Sequence, residues 1–267
     1  MPQTNVKLGK KPPRIDSRTL QFKDFLKKTA KPVPLPPPPP PTPATVDWLK
    51  SGISWGSMGN LTYGDCVEAA GGHAKMIWDS YTSPSTPPPT ATEILALYTA
   101  ITGFNPDNPN TDQGTDMLTF MKYWRTHGIL GKKIDAFLAL TANDLQELQQ
   151  ATWLAGTVLV GLAMPVSAQG QQEWTILEPV RKRHWPPQKR WGSWGGHCVP
   201  VGAFSTAYNE TGIISWGEEL LMAGNFYQRY NDEAWVPISK EWIESNGEAP
   251  NYLDLAAIET AVRALTS

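Results

Sequence analysis

Nine prolines fall within the twelve positions from Pro32 to Pro43, and no other stretch restricts the fold as severely. Each proline fixes its own φ, lacks an N–H and pushes the preceding residue out of the helical region. The run suits neither a helix nor a sheet interior, so it reads as an extended polyproline II spacer. It divides the chain into a leading segment, residues 1–45, and a folded body expected over residues 46–267. The leading segment reads as basic, proline-rich and largely disordered. Its first 32 residues hold nine Lys and Arg against Asp16 and Asp24, a local balance of +7; the chain's net −2 leaves −9 for the remainder. A basic tail on an acidic body suggests docking on that body or on an anionic partner, and a solvated tail is the competing reading. One amphipathic patch, Leu20 to Leu26, interrupts it.

The body has ample material for a core, with 40% apolar residues and twelve tryptophans in the 267-residue chain. The global charge gives no case for a nucleic-acid or membrane partner. The longest apolar stretch, residues 152–166, is broken by Gly156, Gly161 and Pro165 and reads as a buried strand. No apolar leader core is visible at the N-terminus and two cysteines make no disulfide framework, so the cytoplasm is the expected compartment.

Local signals order the body. A helix is expected from Cys66 to Ser80. Thr90-Ala91-Thr92-Glu93 is a capping box for a second helix, ending at Gly103. A third carries Met117, Leu118, Met121 and Trp124 on one face and stops at Gly128. A fourth follows Asp144 and runs to about Leu154. Strands are expected over Thr157 to Met164, Cys198 to Ser205, Gly212 to Trp216 and Ala234 to Ile238, with a closing helix over Leu253 to Leu265. Helices first and strands later predict an α+β protein of two lobes, helical over about 46–140 and β-rich over about 141–267.

Cys66 ends the polar loop Gly59-Asn60-Leu61-Thr62-Tyr63-Gly64-Asp65 and opens the first helix, where backbone N–H groups and the helix dipole favour a thiolate. His197 stands at the mouth of an apolar strand in Gly196-His197-Cys198-Val199-Pro200-Val201. A thiol from one lobe and an imidazole from the other form the pair that nucleophilic cysteine chemistry requires. The competing readings are a small buried core thiol and a structural histidine. His73 follows on the same helix, too far along it to serve as the base. His127 precedes Gly128 and serves a helix C-terminus, and His184 lies in a loop. Cys198 alternates with His197 along its strand and faces away from the cleft, so no disulfide to Cys66 is expected. Asp65 can cap the helix, although a carboxylate beside sulfur opposes thiolate formation. The acids and glycines between Asp107 and Asp116 miss the spacing of a calcium loop, and neither metal nor cofactor is assigned.

These segments resemble the papain-like cysteine peptidases. Val46-Asp47-Trp48 is similar to the start of that family's mature domain, and the 18-residue step from Trp48 to Cys66 matches its spacing to the nucleophile. Gly196-His197-Cys198-Val199-Pro200 is similar to its histidine strand, and Ile214-Ser215-Trp216-Gly217 to the Asn-Ser-Trp-Gly motif after it. The resemblance implies the papain-like two-lobed fold, a helical lobe and an antiparallel β lobe with the site in the cleft between them. It implies Cys66 as nucleophile, His197 as base, Asn60 as an oxyanion donor in place of glutamine, Gly114 pairing with substrate backbone and Trp216 shielding the catalytic pair. The implied activity is hydrolysis of a peptide or protein substrate through an acyl-enzyme. Four departures stand out: Asn60 is one methylene short, Tyr63 replaces a disulfide cysteine, Ile214 cannot accept the hydrogen bond that orients the histidine, and the 45 leading residues are too short for the family's usual inhibitory propeptide. Glu218, Glu219 or a backbone carbonyl near Ser215 are the candidate substitutes. Amide or acyl transfer by the same pair, and a binding module without turnover, are the alternatives. The loop Arg181 to Trp191 is basic with interleaved tryptophans. It is read as a solvated rim rather than a nucleic-acid grip, and it predicts a preference for acidic peptides.

Overall fold

The computed structural model describes residues 6–26, 42–176, 186–245 and 252–266. The helical lobe contains α1 (Cys66–Thr82), α2 (Ala91–Thr102) and α3 (Met117–Thr126). Thr90 caps α2 through the full capping box, and Gly103 closes it in the left-handed conformation at φ 76°. Asp116 caps α3 by accepting from the Thr119 N–H. Helix α1 is buried along almost its whole length, which explains its two internal glycines. A Cβ on Gly71 would stand 2.3 Å from the Phe120 ring, so the absent side chain lets α3 approach.

The second lobe is built on one sheet. Its strands are β1 (Thr45–Asp47), β2 (Ala136–Ala139), β3 (Val158–Met164), β4 (Glu173–Trp174), β5 (Gly195–Ser205), β6 (Glu210–Ser215), β7 (Glu218–Ala223) and β8 (Asn231–Ile238). Their order is β2-β8-β3-β5-β6-β7-β4, with β1 adding to β5. All pairings are antiparallel except β4 with β7. Strand β3 lies between β5 and β8 and is buried at all seven positions, as its unbroken apolar run requires. Helix α4 (Leu145–Ala155), capped by Asp144, packs against β3, β5 and β8. Helices α5 (Gly224–Tyr230), α6 (Lys240–Ser245) and α7 (Leu255–Thr266) complete the lobe. The architecture is α+β and papain-like, as the sequence led one to expect. The short elements β2, β7, α5 and α6 carry no period long enough to read in advance.

Helix α1 packs against β5, so the helix that Cys66 opens crosses the strand that holds His197. Tryptophans lock this contact from behind. Trp48 Nε1 donates to the Thr152 carbonyl at 3.0 Å and Trp78 Nε1 to the Ala155 carbonyl at 2.9 Å, tying α1 and the β1 region to α4.

Residues 6–26 are packed on the body, unlike the solvated tail that their composition suggests. The apolar patch is the reason. Phe22 is fully buried and begins the 3-10 turn Phe22–Phe25, with Leu20, Phe25 and Leu26 packed on the same core. Gln21 pairs with Ala139 on β2 at the sheet edge, and the Ala139 N–H donates to the Leu20 carbonyl at 2.8 Å. The segment thereby covers an edge that would otherwise present unpaired backbone groups. Most of the proline run lies outside the described residues. No helix among the described residues is long and apolar enough to cross a membrane.

Candidate active site

Cys66 begins α1 and is 1% exposed. The backbone N–H groups of Gly9 in the leading segment and of Cys198 on β5 lie near its sulfur and favour its ionised form. The second places the thiol beside the strand that carries His197; the first shows what covers it. Burial pushes the thiol pKa up to about 12, outweighing both N–H donors, and the nearby acids Glu68 and Asp65 add to the rise. In this closed arrangement Cys66 is a thiol, not the thiolate its helix position favours. The correction is one of solvation, because a dipole end helps an anion only after its desolvation has been met.

His197 is fully buried, and burial pushes its pKa down to about 3, so the ring is neutral. Its Nε2 lies 2.9 Å from Ser215 Oγ. Trp216 stacks on the imidazole, with centroids 4.7 Å apart and planes at 15°, and Trp174 meets the ring edge-on at 6.0 Å. Nδ1 has no hydrogen-bond partner among the described residues. The motif comparison puts isoleucine where an orienting amide is expected, and Ile214 indeed turns into the core at 1% exposure. Ser215 supplies the contact instead, one residue further on, a substitute that sequence reading did not name. The signal was available: a strand alternates its faces, so the neighbour of a core-facing isoleucine faces the other way. The φ of 52° at Trp216, followed by Gly217 at 87°, turns the chain so that the indole covers the histidine.

Asn60 is buried and its amide N–H groups reach Asp65 Oδ1 at 3.3 Å and the Tyr63 carbonyl at 3.4 Å, both long bonds. Asp65 makes no side-chain cap on α1, contrary to the expectation above. Its carboxyl is held by Asn60 instead, with Oδ2 unpartnered among the described residues, and burial raises its pKa to about 7. Beneath it Glu68 accepts from Thr115 Oγ1 at 2.6 Å and is pushed up to about 8 by burial. The floor of the site therefore contains two carboxyl groups that burial makes hard to ionise, Glu68 more so than Asp65. His73 is tied to the Gly56 carbonyl at 2.9 Å and lowered to about 4 by burial, a structural role. His127 caps α3 and stacks on Tyr123. Cys66 and Cys198 are both free thiols. His184 and the first part of the basic loop, through Trp185, lie outside the described residues. Among the described residues no cluster of His, Cys, Asp or Glu is arranged to hold a metal ion.

The leading segment crosses this site as an extended strand. The Lys10 N–H donates to the Gly196 carbonyl at 3.0 Å, the Thr115 N–H to the Gly9 carbonyl at 2.8 Å and the Lys11 N–H to the Thr115 carbonyl at 2.9 Å. The bridge between Lys10 and Thr115 is parallel. Gly114, at φ 72°, lies directly against this backbone; a Cβ there would be 1.8 Å from the Gly9 carbonyl oxygen. Gly9 is equally constrained from below, since its own Cβ would sit 1.8 Å from the Gly64 carbonyl oxygen. Backbone meets backbone at both faces of Gly9, and only glycine fits. Asp112 closes this end, accepting from the Gly64 N–H at 3.0 Å and the Tyr98 hydroxyl at 2.8 Å while pairing with Lys7 at 2.7 Å. The leading segment thus meets Gly114 on one side and Gly196, next to His197, on the other; Trp216 stacks on that histidine, and Asn60 lies in the loop before Cys66.

No family model matches the chain, and no curated protein does. Solved structures do match. The crystal structure of xylellain, a cysteine protease from Xylella fastidiosa, aligns with a TM-score of 0.60 at 14% identity, covering 88% of this chain and 97% of that one. Procathepsin L 3 of the Tenebrio molitor larval midgut aligns with a TM-score of 0.54 at 13% identity, covering 85% and 76%. Procathepsin B S9 from Trypanosoma congolense aligns with a TM-score of 0.54 at 9% identity, covering 85% of each chain. At these identities the likeness establishes the fold.

Proposed function

We propose that the protein is a papain-like cysteine peptidase held closed by its own leading segment. The observation that carries the reading is the sulfur of Cys66 at a helix start, beside the histidine strand and under an extended backbone. That the structural neighbours include a cysteine protease and two procathepsins agrees with it.

In the open enzyme the Cys66 proton passes to His197 Nδ1, the ring nitrogen left free when Nε2 bonds Ser215. This requires the Nε2–H tautomer, with Nε2 donating to the serine hydroxyl. The sulfur then attacks the acyl carbon of a peptide bond, the C–S bond forms, and negative charge collects on the former carbonyl oxygen. Asn60, released from Asp65, and the backbone N–H of Cys66 stabilise that oxyanion. His197 returns the proton to the leaving amine as the C–N bond breaks. Water, deprotonated by the same imidazole, hydrolyses the thioester and restores Cys66. Stacked Trp216 keeps the ring in plane and shields the bond between His197 and Ser215 from solvent.

In this reading the segment blocks the cleft by covering the sulfur: Gly9 packs backbone to backbone against Gly64 and Gly114, and Cys66 is left 1% exposed. Desolvation completes the block by keeping the thiol protonated.

The test is alkylation of Cys66 by iodoacetamide as a function of pH in a Cys198→Ser background. With the segment displaced by Gly9→Val, the expected rate holds a plateau below pH 7 that His197→Ala abolishes and Ser215→Ala reduces. A rate that rises only through the ordinary thiol range near 8.5, indifferent to His197, would mean an unactivated cysteine and a binding module without turnover.

A further inference from the structure

Lys10 is the most unusual charge in the molecule. Its side chain is 0% exposed, with Nζ 2.8 Å from Asp232 Oδ2, 3.0 Å from Glu233 Oε1 and 3.0 Å from the Lys11 carbonyl. We propose that the pocket it fills is the side-chain specificity site of the cleft, and that in a substrate this pocket takes lysine or arginine. The proposal rests on the peptidase reading above and assigns that enzyme its substrate class.

Three features build the pocket. The first is a β-bulge. Along β8, Glu233 pairs with Gly161 and Asn231 with Leu162, so Asp232 is an extra residue without a partner across the ladder. Successive strand residues normally face opposite ways, and the bulge is what aims two adjacent carboxylates at one point. The second is a missing side chain. A Cβ on Gly161 would lie 2.2 Å from Lys10 Cε and 2.9 Å from Asp232 Oδ1, so the bare backbone of β3 forms the channel for the lysine stem. The third is anchoring. Trp235 Nε1 donates to Glu233 Oε2 at 2.8 Å, which holds one oxygen back and turns the other toward the ammonium.

The pocket also has more acceptors than Lys10 uses. Two carboxylates face one ammonium, and Asp232 Oδ1 has no hydrogen-bond partner among the described residues although its side chain is only 6% exposed. A guanidinium brings five donors in a planar fork and can reach that spare oxygen. A neutral side chain would leave both carboxylates buried and uncompensated, which is the strongest form of discrimination a pocket can exert. Burial raises the pKa of each acid while Lys10 lowers it, so the two depend on a bound cation to stay ionised. The register places the pocket at the chemistry: Lys10 follows Gly9, which packs on Gly64 two residues before Cys66, and its own N–H bonds Gly196 beside His197. This is opposite to the acidic-peptide preference suggested by the basic loop, because carboxylates line the pocket.

The experiment uses the full chain opened by Gly9→Val, assayed on peptide libraries fixed in turn as Lys, Arg, norleucine or Glu. Basic residues should exceed norleucine in kcat/KM at one position by about 10- to 100-fold, the size expected of charge-assisted hydrogen bonds. The isosteric pair Asp232→Asn and Glu233→Gln should erase that preference, raising KM for basic peptides and lowering it for norleucine peptides, which no longer leave carboxylates uncompensated. Gly161→Ala should exclude long side chains of either kind. Cleavage indifferent to a basic residue would overturn the pocket and leave the peptidase standing. If no peptide is cleaved, the peptidase reading falls, and the pocket is judged on the full-length Lys10→Ala chain alone. There n-butylammonium should raise Tm well above the effect of equimolar n-butanol, and equal effects of the two would overturn the proposal.

Discussion

The two ends of the docked segment hold to the body by different physics. At the cleft end, Leu8 to Lys11 contribute main-chain hydrogen bonds, glycine-sized contacts and the two buried ion pairs of Lys10. At the anchor end, Phe22 is swallowed whole by the core, while Arg14, Asp16 and Arg18 between them make partly exposed ion pairs. The anchor is strong and indifferent to what lies in the cleft. The cleft end holds by contacts that depend on backbone position and on glycine at Gly9 and Gly114. Under the proposed function this divides the labour of inhibition: the apolar anchor lies far from Cys66 and the plug beside it.

The largest predicted effect breaks the cleft end alone. In Gly9→Val the new side chain meets the Gly64 carbonyl, and uncovering the thiol from a pKa of about 12 should accelerate Cys66 alkylation at pH 7 on the order of 1000-fold. An unchanged rate would show that the plug is not what protects the sulfur. Next is Phe22→Ala, a core truncation worth about 3–5 kcal/mol, read as faster proteolysis within residues 6–26 and a lower Tm. If the ends act separately, this variant retains most of the Cys66 protection. If they act as one unit, alkylation rises as far as it does in Gly9→Val.

Glu68, under the plug and bonded to Thr115, sharpens the picture at the cleft end. Its pKa rises from 4.5 unfolded to about 8 folded, so folding takes up a proton within that window. Its contribution is fully present below pH 4.5 and is lost as pH climbs toward 8. Stability relative to Glu68→Gln should therefore fall across that range, by about 1.4 kcal/mol per unit of displacement at most, and level off on either side. A difference independent of pH would mean that Glu68 titrates normally. The smallest effect is Arg18→Ala: its bonds to Asp16 lie on the surface, and neither Tm nor Cys66 protection should move measurably.

What could be read in advance follows the same division between local and distant causes. The capping box at Thr90, the stop at Gly103 and the buried run of β3 are written in neighbouring residues, and they were legible. Cys66 and His197 stood out because each lies in a local context with chemical meaning. Lys10, Asp232, Glu233 and Gly161 did not. They come from three distant parts of the chain, and the bulge that turns Asp232 inward depends on the register of two strands. Composition marked Lys10 as one more charge in a solvated tail, whereas burial beside two carboxylates makes it a ligand. Asp65 was read as a helix cap because its position allows one; the competing bond to Asn60 arises from a loop whose path is set by tertiary packing.

The plug and the site it fills belong to one covalent chain, and dilution cannot separate them. Occupancy of the cleft is an intramolecular ratio, the same at any protein concentration. A spontaneous opening step must then be first order, with a half-time that does not change when the sample is diluted. Any lag that shortens as protein is added would have to come from one molecule acting on the segment of another.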